Sequence, residues 1–155
     1  AAVARFFVHY QDCLHEHSRL YPGVRDGLDQ IRAMGLPMGV VTNKPAAFTT
    51  PLMEALGIAG YFGVAVSGDT LGVKKPDPAP LVHAAERLGV AIADCLYVGD
   101  SAADRAAAEA AGSPLVRVPY GYPGDDAIFA DYSTAMTLTV DQLAARLATE
   151  PRKMP

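Results

Sequence analysis

Cys95-Leu96-Tyr97-Val98-Gly99-Asp100-Ser101-Ala102-Ala103-Asp104 runs from an apolar stretch, through a glycine, into a segment rich in small residues. Cys95 to Val98 reads as a buried strand, and Ser101 to Ala111 as a helix. A strand that leads directly into a helix is half of a βαβ unit, the building block of parallel sheets.

The same alternation extends in both directions from this stretch. Upstream, Pro37 to Thr42 and Gly63 to Ser67 are short apolar runs bounded by turn residues, the first suited to a strand buried on both faces. Between and around them, helical spacing is carried by Val24, Leu28 and Ile31 and by Leu81, Ala84, Ala85 and Leu88, and Pro45 is placed to start a further helix that stops near Gly57. Val3, Phe7, Tyr10 and Leu14 predict an earlier amphipathic helix over about residues 3–19. Downstream, Pro114 to Val118 predicts a further strand, followed by a Tyr/Gly/Pro turn from Tyr120 to Gly124. An edge strand near Ala135 to Leu138 and a helix around Leu143 and Leu147 follow, with residues 151–155 as a frayed end. The chain therefore reads as one α/β domain, a parallel sheet with helices on both faces.

Of the 155 residues, 50% are hydrophobic, enough for a core and too many for a disordered chain. A net charge of −4, with no basic block, argues against nucleic acid as a partner. No apolar run approaches the ~18 residues of a membrane span, and Ala1-Ala2-Val3-Ala4-Arg5 shows no leader pattern. Cys13 and Cys95, far apart in unlike contexts, read as free buried thiols in a reducing compartment. A cytoplasmic protein that touches neither nucleic acid nor membrane is the expectation.

Open parallel sheets present ligands at the carboxyl ends of their strands, so the residues that follow each strand matter most. They are Thr42-Asn43-Lys44 and Gly99-Asp100-Ser101, with Asp104 one turn on and Lys75 in the Pro-rich loop Lys74-Lys75-Pro76-Asp77-Pro78. A hydroxyl can donate to a phosphate oxygen, a lysine can neutralise its charge, and a carboxylate offers hard oxygen to magnesium. Each residue also has a purely structural use. Thr42 and Asn43 suit a turn, Ser101 or Asp100 an N-cap, Asp104 the first turn of a helix, and Lys75 a solvated loop.

Taken in order, Val41-Thr42-Asn43-Lys44-Pro45, Gly68-Asp69, Lys75-Pro76-Asp77-Pro78, Tyr97-Val98-Gly99-Asp100-Ser101 with Asp104, and Tyr120-Gly121-Tyr122 resemble the haloacid dehalogenase (HAD) superfamily. Within it the chain looks most like the phosphoglycolate phosphatases. The resemblance implies a HAD-like, Rossmannoid core and a magnesium-dependent phosphatase acting on a small phosphorylated metabolite, 2-phosphoglycolate foremost, through an aspartyl-phosphate. It makes Thr42 and Asn43 phosphate-binding, and Lys75 the residue that stabilises nucleophile and phosphoryl charge. It assigns Asp100 and Asp104 to the Mg2+ site, Asp104 in support, and leaves Lys44 as a candidate substrate contact.

The family's first motif, Asp-x-Asp ending its first core strand, has no counterpart in these residues. Asp12 stands alone in a helical stretch, and Asp125-Asp126 follows the fourth strand. The resemblance then implies residues 1–20 as the last helix of a cap, 21–150 as the core without its central first strand, and 151–155 as a tail. A strand-completing segment or partner chain, and inactivity of the chain alone, are the corresponding expectations. Two readings stay open, a phosphatase of this family and a non-catalytic HAD-like binding or interaction module. A dinucleotide fold lacks its Gly-x-Gly-x-x-Gly here, since Gly57, Gly60 and Gly63 are wrongly spaced. A phospho-receiver would carry its acids ahead of the threonine and lysine, and here they come last.

Overall fold

The computed structural model describes residues 18–120, 136–137 and 140–149. Most of the helix expected over residues 3–19, Cys13, the turn beyond Tyr120 and the tail lie outside them. The elements run α1 (Val24–Ala33), β1 (Gly39–Val41), α2 (Ala46–Ala55), β2 (Val64–Val66), α3 (Ala79–Leu88), β3 (Tyr97–Gly99), α4 (Ala102–Ala111), β4 (Leu115–Arg117), β5 (Met136–Thr137) and α5 (Val140–Thr149). Short 3-10 turns precede β2 at Ala59–Tyr61 and β3 at Ile92–Asp94. Every strand pairing is parallel, as the helix-strand alternation requires.

The strands form two ladders, β1–β2 and β3–β4–β5, and among the described residues none joins β1 to β3. A single apolar cluster nevertheless spans both. Leu81, Ala107, Ala108 and Leu115 are buried at its centre, with Val41 from one ladder and Tyr97 from the other packed against them. Burial of a leucine such as Leu81 or Leu115 contributes about 1.5–3 kcal/mol. Elsewhere α1 packs on α5, burying Leu28 on the first and Leu143 and Ala144 on the second.

Helix ends follow local chemistry. Ser101 caps α4: its hydroxyl accepts from the Asp104 N–H, and the Asp104 carboxylate accepts in return from the Ser101 N–H. α2 begins after Pro45 and borrows its cap from a distant loop, the Asp69 carboxylate accepting from the Ala46 N–H at 2.8 Å.

Two expectations need correction. Cys95 precedes β3 instead of opening it, because its N–H closes the Ile92–Asp94 turn on the Ile92 carbonyl at 3.1 Å. Its thiol is free but only half-buried; burial, and then the charge of Asp94, raise its pKa. β1 is not buried on both faces: Gly39 is exposed, and Val40 and Val41 are half-buried. Within the described residues β1 has a ladder partner on one side alone.

Candidate active site

The residues after β1 and those after β3 lie at the carboxyl ends of the two ladders, and the loop carrying Lys75 reaches between them. Thr42 extends the ladder, its N–H donating to the Val66 carbonyl at 2.9 Å. Its hydroxyl accepts from the Lys44 N–H at 3.1 Å, shaping the turn and leaving its own proton to donate to an anion. The Asn43 side chain grips the Lys75 peptide on both sides: Nδ2 donates to the Lys75 carbonyl at 2.9 Å, and the Lys75 N–H donates to Oδ1 at 3.0 Å. This contact spans 32 residues of sequence.

The Lys75 ammonium has three protons and three acceptors. It lies 2.9 Å from the Val41 carbonyl, 2.9 Å from Tyr97 Oη and 2.7 Å from Asp104 Oδ1. The Lys75 and Asp104 side chains are only 10% and 7% exposed, so this is a buried ion pair, unlike a surface one. Burial alone would raise the Asp104 pKa. The Lys75 charge, its hydrogen bond and those from Ser101 outweigh that and bring it down to about 2. Tyr97 Oη also lies 2.9 Å from Asp104 Oδ1. Burial first, then the Asp104 charge and the hydrogen bond to it, hold the phenol far above its usual range.

Asp104 Oδ2 accepts from Ser101 Oγ at 2.7 Å and from the N–H groups of Ser101 and Asp100 at 3.0 and 3.2 Å. Both Asp104 oxygens are thus engaged by the chain itself. Asp100, immediately after β3, is half-buried at the strand end. Magnesium demands near-octahedral oxygen ligands. The fit here is partial: Asp100 is placed to offer a carboxylate, and Asp104 is placed to hold the Asp100 backbone. Among the described residues no group of three or more His, Cys, Asp or Glu could hold a metal.

Sequence order therefore brought together Lys75 and Asp104, with Thr42 one residue beyond the carbonyl that Lys75 holds. Lys44 uses its carbonyl in the same framework, accepting from the Gly68 N–H at 2.9 Å and from Thr49 Oγ1 at 3.1 Å. Lys74 is exposed. Tyr97 was not singled out by its position in an apolar run. Strand parity carried the signal: Tyr97 and Gly99 share a face, and a Cβ at Gly99 would stand 2.5 Å from Asp104 Cβ.

Gly68 is a second point of close approach. A Cβ there would collide with the Asn43 carbonyl, its carbon 2.6 Å away. Gly68→Ala should destabilise the fold by about 1–3 kcal/mol, because the obstacle is backbone and cannot swing aside. Urea unfolding of the variant measures this, and a midpoint equal to wild type would show that the loop yields freely.

Residues 1–112 match the haloacid dehalogenase-like hydrolase family. The chain is 50% identical over 121 residues to phosphoglycolate phosphatase of Thiobacillus denitrificans, covering 78% of this chain and 53% of that protein. To phosphoglycolate phosphatase of Escherichia coli K12 it is 49% identical over 120 residues, covering 77% and 48%. It spans about half the length of the curated relatives it matches. Among solved structures, a predicted phosphoglycolate phosphatase from Haemophilus somnus superposes with TM-score 0.84 at 32% identity, over 92% of this chain and 63% of that one. A HAD family hydrolase from Deinococcus radiodurans, with bound phosphate and sodium, superposes with TM-score 0.74 at 25% identity, covering 86% and 60%. With a match over residues 1–112 and a fold shared with these hydrolases, the chain belongs to the haloacid dehalogenase-like hydrolases.

Proposed function

We propose that this chain is the core part of a cytoplasmic, magnesium-dependent phosphatase that hydrolyses a small phosphate monoester, 2-phosphoglycolate foremost. The observation that carries the reading is the buried Lys75–Asp104 pair, mounted between the ends of β1 and β3. In this reading Thr42 donates its hydroxyl proton to the phosphoryl group and Lys75 neutralises its charge. Asn43 serves the same phosphate site by fixing the Lys75 peptide, and Lys44 is the candidate substrate contact. Magnesium, supplied with Asp100 as a ligand and Asp104 in support, would offset phosphoryl charge.

Covalent hydrolysis needs an attacking carboxylate. Its oxygen bonds to phosphorus as the ester oxygen departs with a proton, and water then cleaves the acyl phosphate back to carboxylate and phosphate. We assign that carboxylate to a strand-completing segment or partner chain lying between β1 and β3. In support, the two ladders share one core cluster, yet no strand pairing joins them among the described residues.

The 155-residue chain alone should not hydrolyse p-nitrophenyl phosphate above background with magnesium present. Joining it to the half of the Thiobacillus denitrificans phosphatase that it does not span should produce magnesium-dependent hydrolysis of that ester and of 2-phosphoglycolate. An inactive but folded chimera would favour the non-catalytic module. Turnover by the chain alone that disappears in Asp100→Ala would show that the nucleophile lies within these residues.

A further inference from the structure

Burying a hydroxyl costs free energy unless it is bonded, and phenylalanine would fill the Tyr97 site in the apolar cluster without that cost. The Tyr97 hydroxyl has partners, and they are site groups: the Lys75 ammonium, the Asp104 carboxylate and, at 3.5 Å, the Val41 carbonyl. We propose that Tyr97 is a positioning residue that fixes the Lys75 ammonium at the strand ends where phosphate is to be met.

The geometry is a closed ring of three hydrogen bonds. Lys75 donates to Tyr97 Oη and to Asp104 Oδ1, and Tyr97, accepting from Lys75, gives its single proton to the same Asp104 oxygen. An ammonium on a flexible four-carbon stem, held by the Asp104 carboxylate and the Val41 carbonyl alone, can still turn about the line that joins them. A third point fixed to a strand removes that rotation. Tyr97 supplies it, because its side chain packs against the buried cluster of Leu81, Ala107, Ala108 and Leu115. The remaining ammonium proton goes to Val41, one residue before Thr42. When an oxyanion accepts a hydrogen bond from the Lys75 ammonium, the uncharged acceptors yield more cheaply than Asp104, so the ion pair persists through the exchange. This role rests on the phosphatase reading, but the placement of the ammonium is measurable without it.

The test uses the 155-residue chain with 15N-labelled lysine, and Tyr97→Phe. In wild type the Lys75 ammonium should give a sharp, slowly exchanging nitrogen–proton signal. The Tyr97 hydroxyl proton should be visible as well, with a cross-relaxation contact to Lys75. In folded Tyr97→Phe, confirmed by an intact cooperative urea transition, the ammonium signal should broaden away. An unchanged ammonium signal in the variant, or no contact from the hydroxyl proton in wild type, overturns the proposal. In the active chimera, Tyr97→Phe should lower kcat about tenfold and leave KM within about twofold. Unchanged kcat there overturns the role in the reaction. If the wild-type chimera is inactive while the ammonium signal still depends on Tyr97, the phosphatase reading fails and the positioning of Lys75 stands.

Discussion

Alanine at Lys75 or at Asp100 should each lower kcat of the completed enzyme by about 10²–10³-fold or more, the scale set by deleting one preorganised charge-stabilising group. Alanine at Lys74 should leave kcat within about twofold. The two lysines are neighbours in one Pro-rich loop and carry the same charge, so composition cannot separate them. Structure does: Lys74 is exposed, whereas Lys75 is turned inward onto three acceptors, its backbone pinned by Asn43. A long-range field would treat them alike, but a directed hydrogen bond would not. Because Lys75→Ala leaves the buried Asp104 without its counter-ion, steady-state kinetics should be paired with urea unfolding at the assay temperature. Equal losses at both lysines, in folded proteins, would reduce Lys75 to a loop charge and remove the basis of the phosphatase reading.

The fold was legible because its signals are local. Apolar runs between turn residues place β1 to β4, apolar spacing places α1 and α3, and Pro45 with Gly57 brackets α2, all within a few residues of the observed bounds. The strand containing Tyr97 shows where such reading stops. Cys95 and Leu96 are apolar and so read as strand, but the backbone at Cys95 is still closing a 3-10 turn. Hydropathy reports which side chains tend to avoid water, and it does not fix the residue at which a turn gives way to a strand.

The candidate site was legible in a different way. Thr42, Lys75, Asp100 and Asp104 stand out as an ordered set through the resemblance to the haloacid dehalogenase superfamily, at positions where open parallel sheets present ligands. What each side chain does depends on contacts 22 to 34 residues apart, which no spacing rule encodes. Asn43, expected beside Thr42 to bind phosphate, uses its amide on the Lys75 backbone. Asp104 does two things at once: one oxygen completes the capping box of α4, and the other holds Lys75. The helix start is the means by which the carboxylate is aimed.

Asp104→Ala should therefore be among the most damaging single changes in the described fold. It leaves a buried ammonium without its counter-ion and the α4 N-terminus without half of its box, a loss of about 3–5 kcal/mol. Replacing both partners, Lys75→Met with Asp104→Leu, should recover much of this, because an apolar pair leaves no charge stranded. Acid probes the same pair more gently. The Asp104 pKa is lowered from 3.8 to about 2 in the folded state. Its contribution is thus fully present above 3.8 and is lost as pH falls through about 2. The shift corresponds to about 2 kcal/mol, less than the alanine loss because a protonated carboxyl keeps several of its hydrogen bonds. Other carboxylates titrate in the same range, so the informative quantity is the difference between wild type and Asp104→Asn, followed by urea unfolding across that window. Wild type should lose its advantage as the pH falls toward 2. A constant difference between the two proteins would mean that the carboxylate is not charged against Lys75, and the electrostatic account of the site would fail with it.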